Sequence, residues 1–500
     1  PGARGRPPAH FQSGAGVAPR NSTMTDTASV LGLRRSALAA LLLAAALLAP
    51  PAPALAAQQR VHVVQPGETL SGIAARYSTT VTALAAANRI VDADLIWVGQ
   101  RLTIPGAAAA AETDSAAPAP AAAGLRAAVA DFLQQSFIQR TIDERVYYSF
   151  TPVAPGQPRL HWFQSIRNHG HENLATLAYA SLGRCAEAQG MLRAFYHAQN
   201  ADGGFPYMVT TDTGPGTSTH ANTTLPVLAW EALQIYRRCG DTAFLSAALQ
   251  AGARNDDWWW LHSGRRDHGS CQGLFFWNET WETVRDDAEL ATWAATGGAE
   301  NQCAVDLNAY LVANDRALAA IARELGDGRA ALFDSRAAEL SDLMNRLMWN
   351  AEDSFYYGLS RRGGQVRVRD IGGLMPLYAG VPSAQQAAVL VARHLQPGGD
   401  FHAGFGLPSL GKSQPGYSSA RRWQGGMWPG LTMLVVKGLA DYGHMESAQR
   451  ITRTLADKVS AGPGNFWEFY DSESGLPSHA QNYIWAATAL PMAEFAGLQP

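Results

Sequence analysis

Two short segments of this 500-residue chain combine carboxylates with aromatic side chains. WETVRDD at 281–287 contains Asp286, and NFWEFYD at 465–471 contains Glu468. Two carboxyl groups about 6.5–9.5 Å apart can protonate a leaving oxygen and activate a water across a sugar ring. The two segments are therefore candidates for general acid–base catalysis, provided that the fold brings them together.

These carboxylates also have ordinary structural interpretations. Glu282 and Asp286 are four residues apart, so on a helix both would lie on one face, solvated or in salt bridges. Glu468 is equally suited to pairing with an arginine, and Asp287 is a second candidate proton donor.

Tryptophans accompany the carboxylates. Thirteen of the 14 follow residue 124, several of them beside polar residues, and an aromatic face suits the apolar face of a sugar. The run 258–260 instead indicates packing at helical spacing. The tryptophans predicted to form a sugar platform are Trp281, Trp423, Trp428 and Trp467.

A polar cluster, IRNHGHEN at 166–173, contains a His-x-His pair. Such a pair can ligate a metal, but no second cluster at ligand spacing accompanies it, and no metal or organic cofactor is predicted. Polysaccharide lyases also use helical toroids, with Asn or Arg neutralising a uronate and His or Tyr as base. Asn168 and His169 therefore keep a lyase as the alternative enzyme class.

Helices must position all of these groups, because apolar residues recur at three-and-four spacing through most of 125–500. Ser383 with Gln386 predicts a capping box, and Gly183, Gly326 and Gly443 end predicted helices. At about 30 residues per helix and loop, this region holds roughly twelve helices in six hairpins. Periodicity does not distinguish a closed (α/α)6 toroid from an open solenoid. The predicted helices are LRAAVADFLQQSF, ENLATLAYASLG, TTLPVLAWEALQIYRR, VDLNAYLVANDRALAAIARELG, RAALFDSRAAELSDLMNRLMW, PSAQQAAVLVARHL, PGLTMLVVKGLADYG, MESAQRITRTLADKVS and QNYIWAATALPMAEF, with short strands at FYYGLS and QVRV.

The carboxylate segments carry a family resemblance. WETVRDD is similar to W-E-S-G-x-D-N and FWEFYDSESG to F-W-E-Y-Y-D-P-x-T-G, the acid and base signatures of the clan of family 63 glycoside hydrolases, mannosylglycerate hydrolase-like enzymes and trehalases. QNADGGFP, VDLNAYL, FGLPSL and RWQGGMWPGL follow in family order. The resemblance spans nearly all of 125–500 and implies a mainly α, six-hairpin toroid.

The resemblance also implies roles. Asp286 matches the general acid and Glu468 the general base of an inverting hydrolase. Trp281, Trp423, Trp428 and Trp467 are joined as predicted substrate-binding residues by Glu282, Arg285, Asp306, Asn308 and Gln424.

Several positions depart from the family pattern. Val284 replaces the glycine of the acid signature, Gln424 replaces an arginine, and 163–165 and 224–226 also differ. The catalytic carboxylates are predicted to be retained. Most of the changed positions would hold sugar hydroxyls, so the identity of the sugar stays open, as does endo or exo action.

Residues 61–105 resemble the LysM module, with V-x-x-G-E-T-L, a central Asn88 and a final VGQRLTIP. The resemblance implies a βααβ fold that binds N-acetylglucosamine-containing glycans, peptidoglycan or chitin. The polar turns at 67–71 and 88–92 are the candidates to face that glycan, with a solvated turn as the alternative.

Residues 1–57 are predicted to be a disordered N-terminus and a secretory signal. Arg34-Arg35 precedes an apolar run of about 13 residues, shorter than the roughly 20 that span a bilayer, and Ala54-Leu55-Ala56 suits cleavage near Ala56. An Ala/Pro-rich linker follows at 106–124. The mature protein is predicted to be periplasmic or secreted.

Net charge bears on possible binding partners, and cysteine content bears on disulfides. A formal net charge of −3 gives no attraction for phosphate backbones, so nucleic acid is not predicted as a partner. Export permits disulfides among the four cysteines, and Cys271 with Cys303 is the favoured pair because that loop would clasp the acid segment, with free buried thiols as the alternative.

Three hypotheses result. The first is an exported inverting glycosidase acting on an α-linked oligosaccharide or glycoside, held near cell-wall glycan by LysM. The second is the lyase, and the third is a glycan-binding protein without turnover.

Overall fold

The computed structural model describes most of the chain after Gln59, with gaps. The described residues are 60–64, 70–77, 79, 81–88, 90, 101–104, 120–142, 145–150, 167–169, 172–210, 222–285 and 291–499.

The first folded module has the order β1, α1, α2, β2. The antiparallel pair runs from Arg60 opposite Ile104 to Val63 opposite Arg101, and both helices pack beneath it. Asn88, the last residue of α2, accepts a hydrogen bond from the Thr103 amide at 2.6 Å and donates to the Thr103 carbonyl at 2.8 Å. The predicted βααβ fold is therefore confirmed, and Asn88 ties α2 to β2. The elements are β1 (Arg60–Val63), α1 (Leu70–Arg76), α2 (Val81–Asn88) and β2 (Arg101–Ile104).

The large domain is built from helices, and all nine predicted helical segments contain one. Five further helices were not predicted. Three of them are only four or five residues long, namely Ala291–Ala294, Met375–Ala379 and Arg422–Gly425. The other two are Cys185–Ala198 and Thr242–Asp257, in which alanine and glycine supply several of the buried positions and weaken the apolar pattern. Its helices are α3 (Pro120–Ser136), α4 (Thr176–Ser181), α5 (Cys185–Ala198), α6 (Leu228–Cys239), α7 (Thr242–Asp257), α8 (Ala291–Ala294), α9 (Val305–Glu324), α10 (Ala330–Leu343), α11 (Met375–Ala379), α12 (Ala384–His394), α13 (Arg422–Gly425), α14 (Pro429–Asp441), α15 (Met445–Ser460) and α16 (Ala489–Phe495).

Six of these helices form a closed inner ring. Within the described residues each packs on the next and the last returns to the first, in the order α4, α6, α9, α11, α14, α16. The outer layer consists of α3, α5, α7, α10, α12 and α15, and α3 packs on α15 and α16. These contacts distinguish the predicted (α/α)6 toroid from a solenoid, in which the first and last helices would not meet.

Short and long connections fall at opposite ends of the ring. Each inner helix that is followed by an outer helix is joined to it by a turn, as at 182–184, 240–241, 325–329, 380–383 and 442–444. The returns to the next inner helix are long, as at 199–227, 258–304, 344–374, 395–428 and 461–488. Inner helices therefore run parallel, with their N-termini at the end that carries the long loops.

The local signals for helix ends hold. Ser383 and Gln386 form the predicted capping box at the start of α12. Gly183, Gly326 and Gly443 have φ values of 74°, 67° and 79°, the left-handed conformation that glycine adopts without strain. Trp258 and Trp259 are buried, as their helical spacing predicts, within a π-helical turn at Trp258–His262.

Small antiparallel sheets occupy the long loops. The predicted strands FYYGLS and QVRV are present, interrupted at Tyr357 and shortened to two residues, respectively. The strands are β3 (Phe137–Ile142), β4 (Arg145–Phe150), β5 (Arg167–His169), β6 (Met208–Thr210), β7 (Arg266–Asp267), β8 (Leu274–Phe275), β9 (Gln302–Cys303), β10 (Trp349–Asn350), β11 (Phe355–Tyr356), β12 (Gly358–Ser360), β13 (Gln365–Val366), β14 (Trp467–Tyr470) and β15 (Pro477–Gln481). The paired strands are β3 with β4, β5 with β6, β7 with β8, β10 with β11, β9 and β13 with β12, and β14 with β15.

Two disulfides cross-link segments within the helical domain. Cys271 joins Cys303, as favoured from the sequence, and Cys185 joins Cys239, which connects the start of α5 to the end of α6. No described helix is both long enough and apolar enough to cross a bilayer.

Candidate active site

The base segment lies on β14, in the long loop before α16. Glu468 is 7% exposed, and its carboxylate meets two basic side chains. Arg422 Nη2 lies 3.7 Å from Oε1, and His479 Nδ1 is hydrogen-bonded to Oε2. Glu468 thus has an arginine partner, as its structural interpretation predicted, and it also has a histidine across the hairpin.

The acid segment lies in the long loop before α9. Residues 281–285 are described, whereas Asp286 and Asp287 lie outside the described residues, so the separation of Asp286 and Glu468 stays a prediction. The last described residue, Arg285, is buried, and its guanidinium donates to Asp306 and to Asp370, both at 2.6 Å. These contacts anchor the segment.

The two aspartates lie where inner helices begin. Asp306 is in the first turn of α9, and Asp370 caps the 3-10 turn Ile371–Leu374 that leads into α11. Burial lowers the pKa of Arg285, but Asp306 and Asp370 outweigh it and the net shift is upward. Arg285 is therefore a charged anchor between two inner helices.

Val284 shows how the departure from the glycine of the acid signature is accommodated. Its φ is 66°, in the left-handed region that costs a β-branched residue free energy. The chain thus keeps at Val284 a conformation for which glycine is the ordinary choice.

Glu282 has a different role from the predicted sugar contact. It is fully buried and accepts hydrogen bonds from Arg265 Nη1 at 2.8 and 2.9 Å, and from the amides of Thr223 and Asn278 at 2.7 and 2.8 Å. Burial raises the pKa of Glu282, although Arg265 and both amides act to lower it. The carboxylate fastens the acid segment to Arg265 and Asn278 of the same long loop and to Thr223 of the loop before α6.

Asn308 and Asp306 also have structural partners. The Asn308 amide group bonds both backbone polar atoms of Phe275 at 2.9 Å and the Ala304 carbonyl at 2.8 Å. Asp306 accepts from Trp277 Nε1 at 3.2 Å in addition to Arg285. Both residues are buried, so they hold β8 and the acid segment to α9 instead of reaching a sugar.

The predicted sugar platform divides in two. Trp423 and Trp428 are 3% exposed and stack on each other, with ring centroids 3.8 Å apart, and Trp428 also stacks on Phe469 at 4.9 Å. The faces of these two rings cover each other, so the rings pack inside the domain. Through Phe469, Trp428 supports β14. Trp281, 58% exposed, and the half-buried Trp467 have accessible surface for a ligand.

Gln424 and the IRNHGHEN cluster complete the predicted residues. Gln424 is half-buried, and its Oε1 accepts from Arg421 Nη1 at 3.1 Å. Asn168 and His169 lie on β5, where Asn168 pairs with Val209 and His169 with Met208 of β6, and their side chains are outside the described residues.

Sequence reasoning missed His479, Asp370 and Arg265. No local pattern marks them, because each meets its partner only when the long loops fold. Asp370 reaches Arg285 from a separate loop. His479 and Arg265 each meet a glutamate within one long loop. A weak signal for His479 was its position in the sequence, because it follows Glu468 by only 11 residues and could therefore lie across a hairpin from it.

Among the described residues one grouping of potential metal ligands occurs, Asp267 with Cys271 and Cys303. Both sulfurs belong to a disulfide, and Asp267 accepts from Arg361 at 2.9 Å, so this grouping offers no metal site.

Comparison with known proteins yields two family matches and related structures. Residues 173–486 match the mannosylglycerate hydrolase MGH1-like glycoside hydrolase domain, and residues 62–105 match the LysM domain. Among solved structures, the GH63 mannosylglycerate hydrolase of Thermus thermophilus in complex with glucose superposes with a TM-score of 0.60 at 20% identity, covering 74% of this chain and 99% of that one. Neutral trehalase from Saccharomyces cerevisiae gives 0.54 at 15%, covering 74% and 80%.

Curated relatives match over shorter stretches. The mannosylglycerate hydrolase of Rubrobacter radiotolerans is 28% identical over 186 residues, 37% of this chain and 41% of that protein. A mannosylglycerate hydrolase of Thermus thermophilus is 30% identical over 142 residues, 28% and 33%. The chain thus matches less than half the length of these relatives. Since the family match covers more than half of the chain, the protein belongs to the mannosylglycerate hydrolase MGH1-like glycoside hydrolase family and carries a LysM domain ahead of that domain.

Proposed function

We propose that the chain hydrolyses an α-linked glycosidic bond with inversion, with Asp286 as general acid and Glu468 as general base. The observation that carries the proposal is that residues 281–285 of the acid segment, and the base segment, lie in long loops at the same end of the inner ring. Arg285 fastens the acid segment to the starts of α9 and α11, while Trp428, at the start of α14, stacks on the base segment.

The names of the relatives set the order in which substrates are tested. Proteins named mannosylglycerate hydrolase match this chain, so mannosylglycerate heads the panel, followed by α-mannosides, α-glucosides, trehalose and peptidoglycan fragments. Proton NMR of the first-formed anomer tests inversion. A 4,5-unsaturated product absorbing in the near ultraviolet would instead establish the lyase, and binding without product the non-catalytic alternative.

Separate Asp286→Asn and Glu468→Gln variants test the assignment. Each should lower kcat by about 10²–10⁴, the usual contribution of acid–base assistance, while circular dichroism stays that of the wild type. Asp287→Asn is the matched control, since it removes the neighbouring carboxylate and should retain activity. Full activity in the Asp286 variant together with loss in the Asp287 variant would transfer the acid role to Asp287.

We propose that the LysM domain tethers the enzyme to N-acetylglucosamine-containing glycan outside the cytoplasm. The family match supports glycan binding, and the signal-like segment ending near Ala56 supports export. Co-sedimentation with insoluble peptidoglycan and with chitin, comparing the full chain with a chain lacking 61–105, tests the tether. N-terminal sequencing of protein recovered from the periplasm or medium should begin close to residue 57, and an intact N-terminus in the cytoplasm would contradict export.

A further inference from the structure

The hairpin that carries Glu468 is irregular opposite this residue. Trp467 pairs with Gln481 and Phe469 pairs with Ser478, so one residue between the pairs on β14 corresponds to two on β15. The extra residue places His479 and Ala480 opposite Glu468. A bulge of this kind changes the direction of a side chain, because it breaks the alternation of the strand.

His479 has an unusual backbone conformation at this bulge. Its φ is 68°, in the left-handed region that few residues other than glycine adopt, with Asn, Asp and His among the exceptions. With this backbone the imidazole Nδ1 meets Glu468 Oε2. The ring also lies near-parallel to Phe469, with centroids 6.5 Å apart.

The two oxygens of Glu468 are held differently. His479 bonds Oε2, whereas Arg422 Nη2 lies 3.7 Å from Oε1, beyond hydrogen-bond distance. Among the described residues, Arg422 from α13 and His479 from β15 are the basic groups that meet this carboxylate. Each oxygen thus faces a different nitrogen group, and His479 makes the hydrogen bond.

We propose that His479 is a positioning residue for the base: it fixes Glu468 Oε2 by a hydrogen bond, so that Oε1 is the oxygen that takes the proton from water. The inference rests on the proposed function. In that step the water O–H bond breaks and its proton goes to Oε1, while the water oxygen bonds the anomeric carbon. The bond from that carbon to the leaving oxygen breaks, and the leaving oxygen takes a proton from the acid.

The left-handed backbone supplies a matched pair of variants. His479→Gly keeps the conformation and removes the donor, whereas His479→Asn keeps the conformation and supplies an amide donor that does not titrate. Hydrogen bonds to charged groups are strong enough that His479→Gly should lower kcat by about 10- to 100-fold. KM should change little, so that the loss is confined to kcat.

His479→Asn should recover kcat to within a few-fold of the wild type. Asn482→Gly is the control, because Asn482 follows the same strand with a φ of 59° and has no contact with Glu468 among those described; its kcat and KM should match the wild type. Should His479→Gly fold poorly, the Asn variant decides alone: a kcat close to the wild type supports the hydrogen bond, and a large loss overturns it.

The outcomes separate the two proposals. Activity retained in Glu468→Gln overturns the proposed function. Loss in Glu468→Gln, with a His479→Gly variant whose kcat equals that of the wild type, leaves the hydrolase intact and overturns the role of His479 alone.

Discussion

Buried carboxylates in this domain have contrasting surroundings, and these set the effect of single substitutions. Glu282 is fully buried and is matched by Arg265 and two backbone amides. Glu231, on the inner helix α6, is equally buried, yet neither of its oxygens has a hydrogen-bond partner among the described residues. Removing the carboxylate charge should therefore destabilise the protein at Glu282 and stabilise it at Glu231.

Glu282→Gln is expected to lower the free energy of unfolding by about 3 kcal/mol, because it leaves the buried Arg265 without its counter-charge. The neighbouring pair Arg266–Glu339 is the control, since the Glu339 side chain is 50% exposed. Glu339→Gln should change stability by no more than about 0.5 kcal/mol. Urea unfolding of both variants checks the contrast, and equal losses would contradict it.

Glu231→Gln should change the pH dependence of stability. Burial raises the pKa of Glu231 well above its ordinary value, so the stability of the wild type is fully present below about pH 4.5 and is lost as pH rises through the folded-state pKa. The variant should gain on the wild type by about 1.4 kcal/mol per pH unit across that interval. Urea unfolding at pH 4, 6 and 8 measures the difference, with the exposed Glu324→Gln as control. A difference independent of pH would show that Glu231 ionises normally.

Several helices in this fold begin or end at a residue that carries a local signal, whereas the elements against which they pack come from elsewhere in the chain. The capping box of Ser383 and Gln386 and the three left-handed glycines are readable from a few adjacent residues. The short strands are less so, because β9 and β12 pair across more than 50 residues of chain. Local propensity predicts such strands poorly since their stability depends on the partner.

Ser383→Ala should lower the free energy of unfolding by about 1 kcal/mol, because the first turn of α12 loses the side chain that accepts from the Gln386 amide. Ser383→Asp, which keeps an acceptor, should retain most of the stability. Thermal unfolding of the two variants provides the measurement, and an Ala variant as stable as the wild type would show that water replaces the cap.

Ring closure links the first helix of the domain to the base segment. Phe132 of α3 is 3% exposed and stacks on Phe466, with ring centroids 4.0 Å apart, and Phe466 lies two residues before Glu468. This contact connects the start of the toroid to the loop that precedes its last inner helix.

Phe132→Ala should therefore cost about 3–5 kcal/mol of unfolding free energy, the usual range for a buried phenylalanine. It should also lower activity under conditions in which the protein is still folded, because the β14 hairpin loses its support. Leu332→Ala, at a side chain 44% exposed, is the control and should have little effect on either quantity. Denaturant unfolding and kcat together test the link, and stability loss with unchanged kcat would restrict the role of Phe132 to packing.

The sequence by itself determined the features that depend on residues close together in the chain. Helical periodicity, the capping box, the LysM pattern and the two carboxylate signatures are each local patterns. The Cys271–Cys303 pair was favoured because its loop would clasp the acid signature. The partners of individual side chains did not follow in this way, because they depend on how the long loops fold and on which side chains become buried. Burial makes Glu282 and Asn308 structural residues, Trp423 stacks on Trp428, and His479 meets Glu468 across a bulged hairpin. Packing and desolvation act between groups that meet only in the tertiary structure.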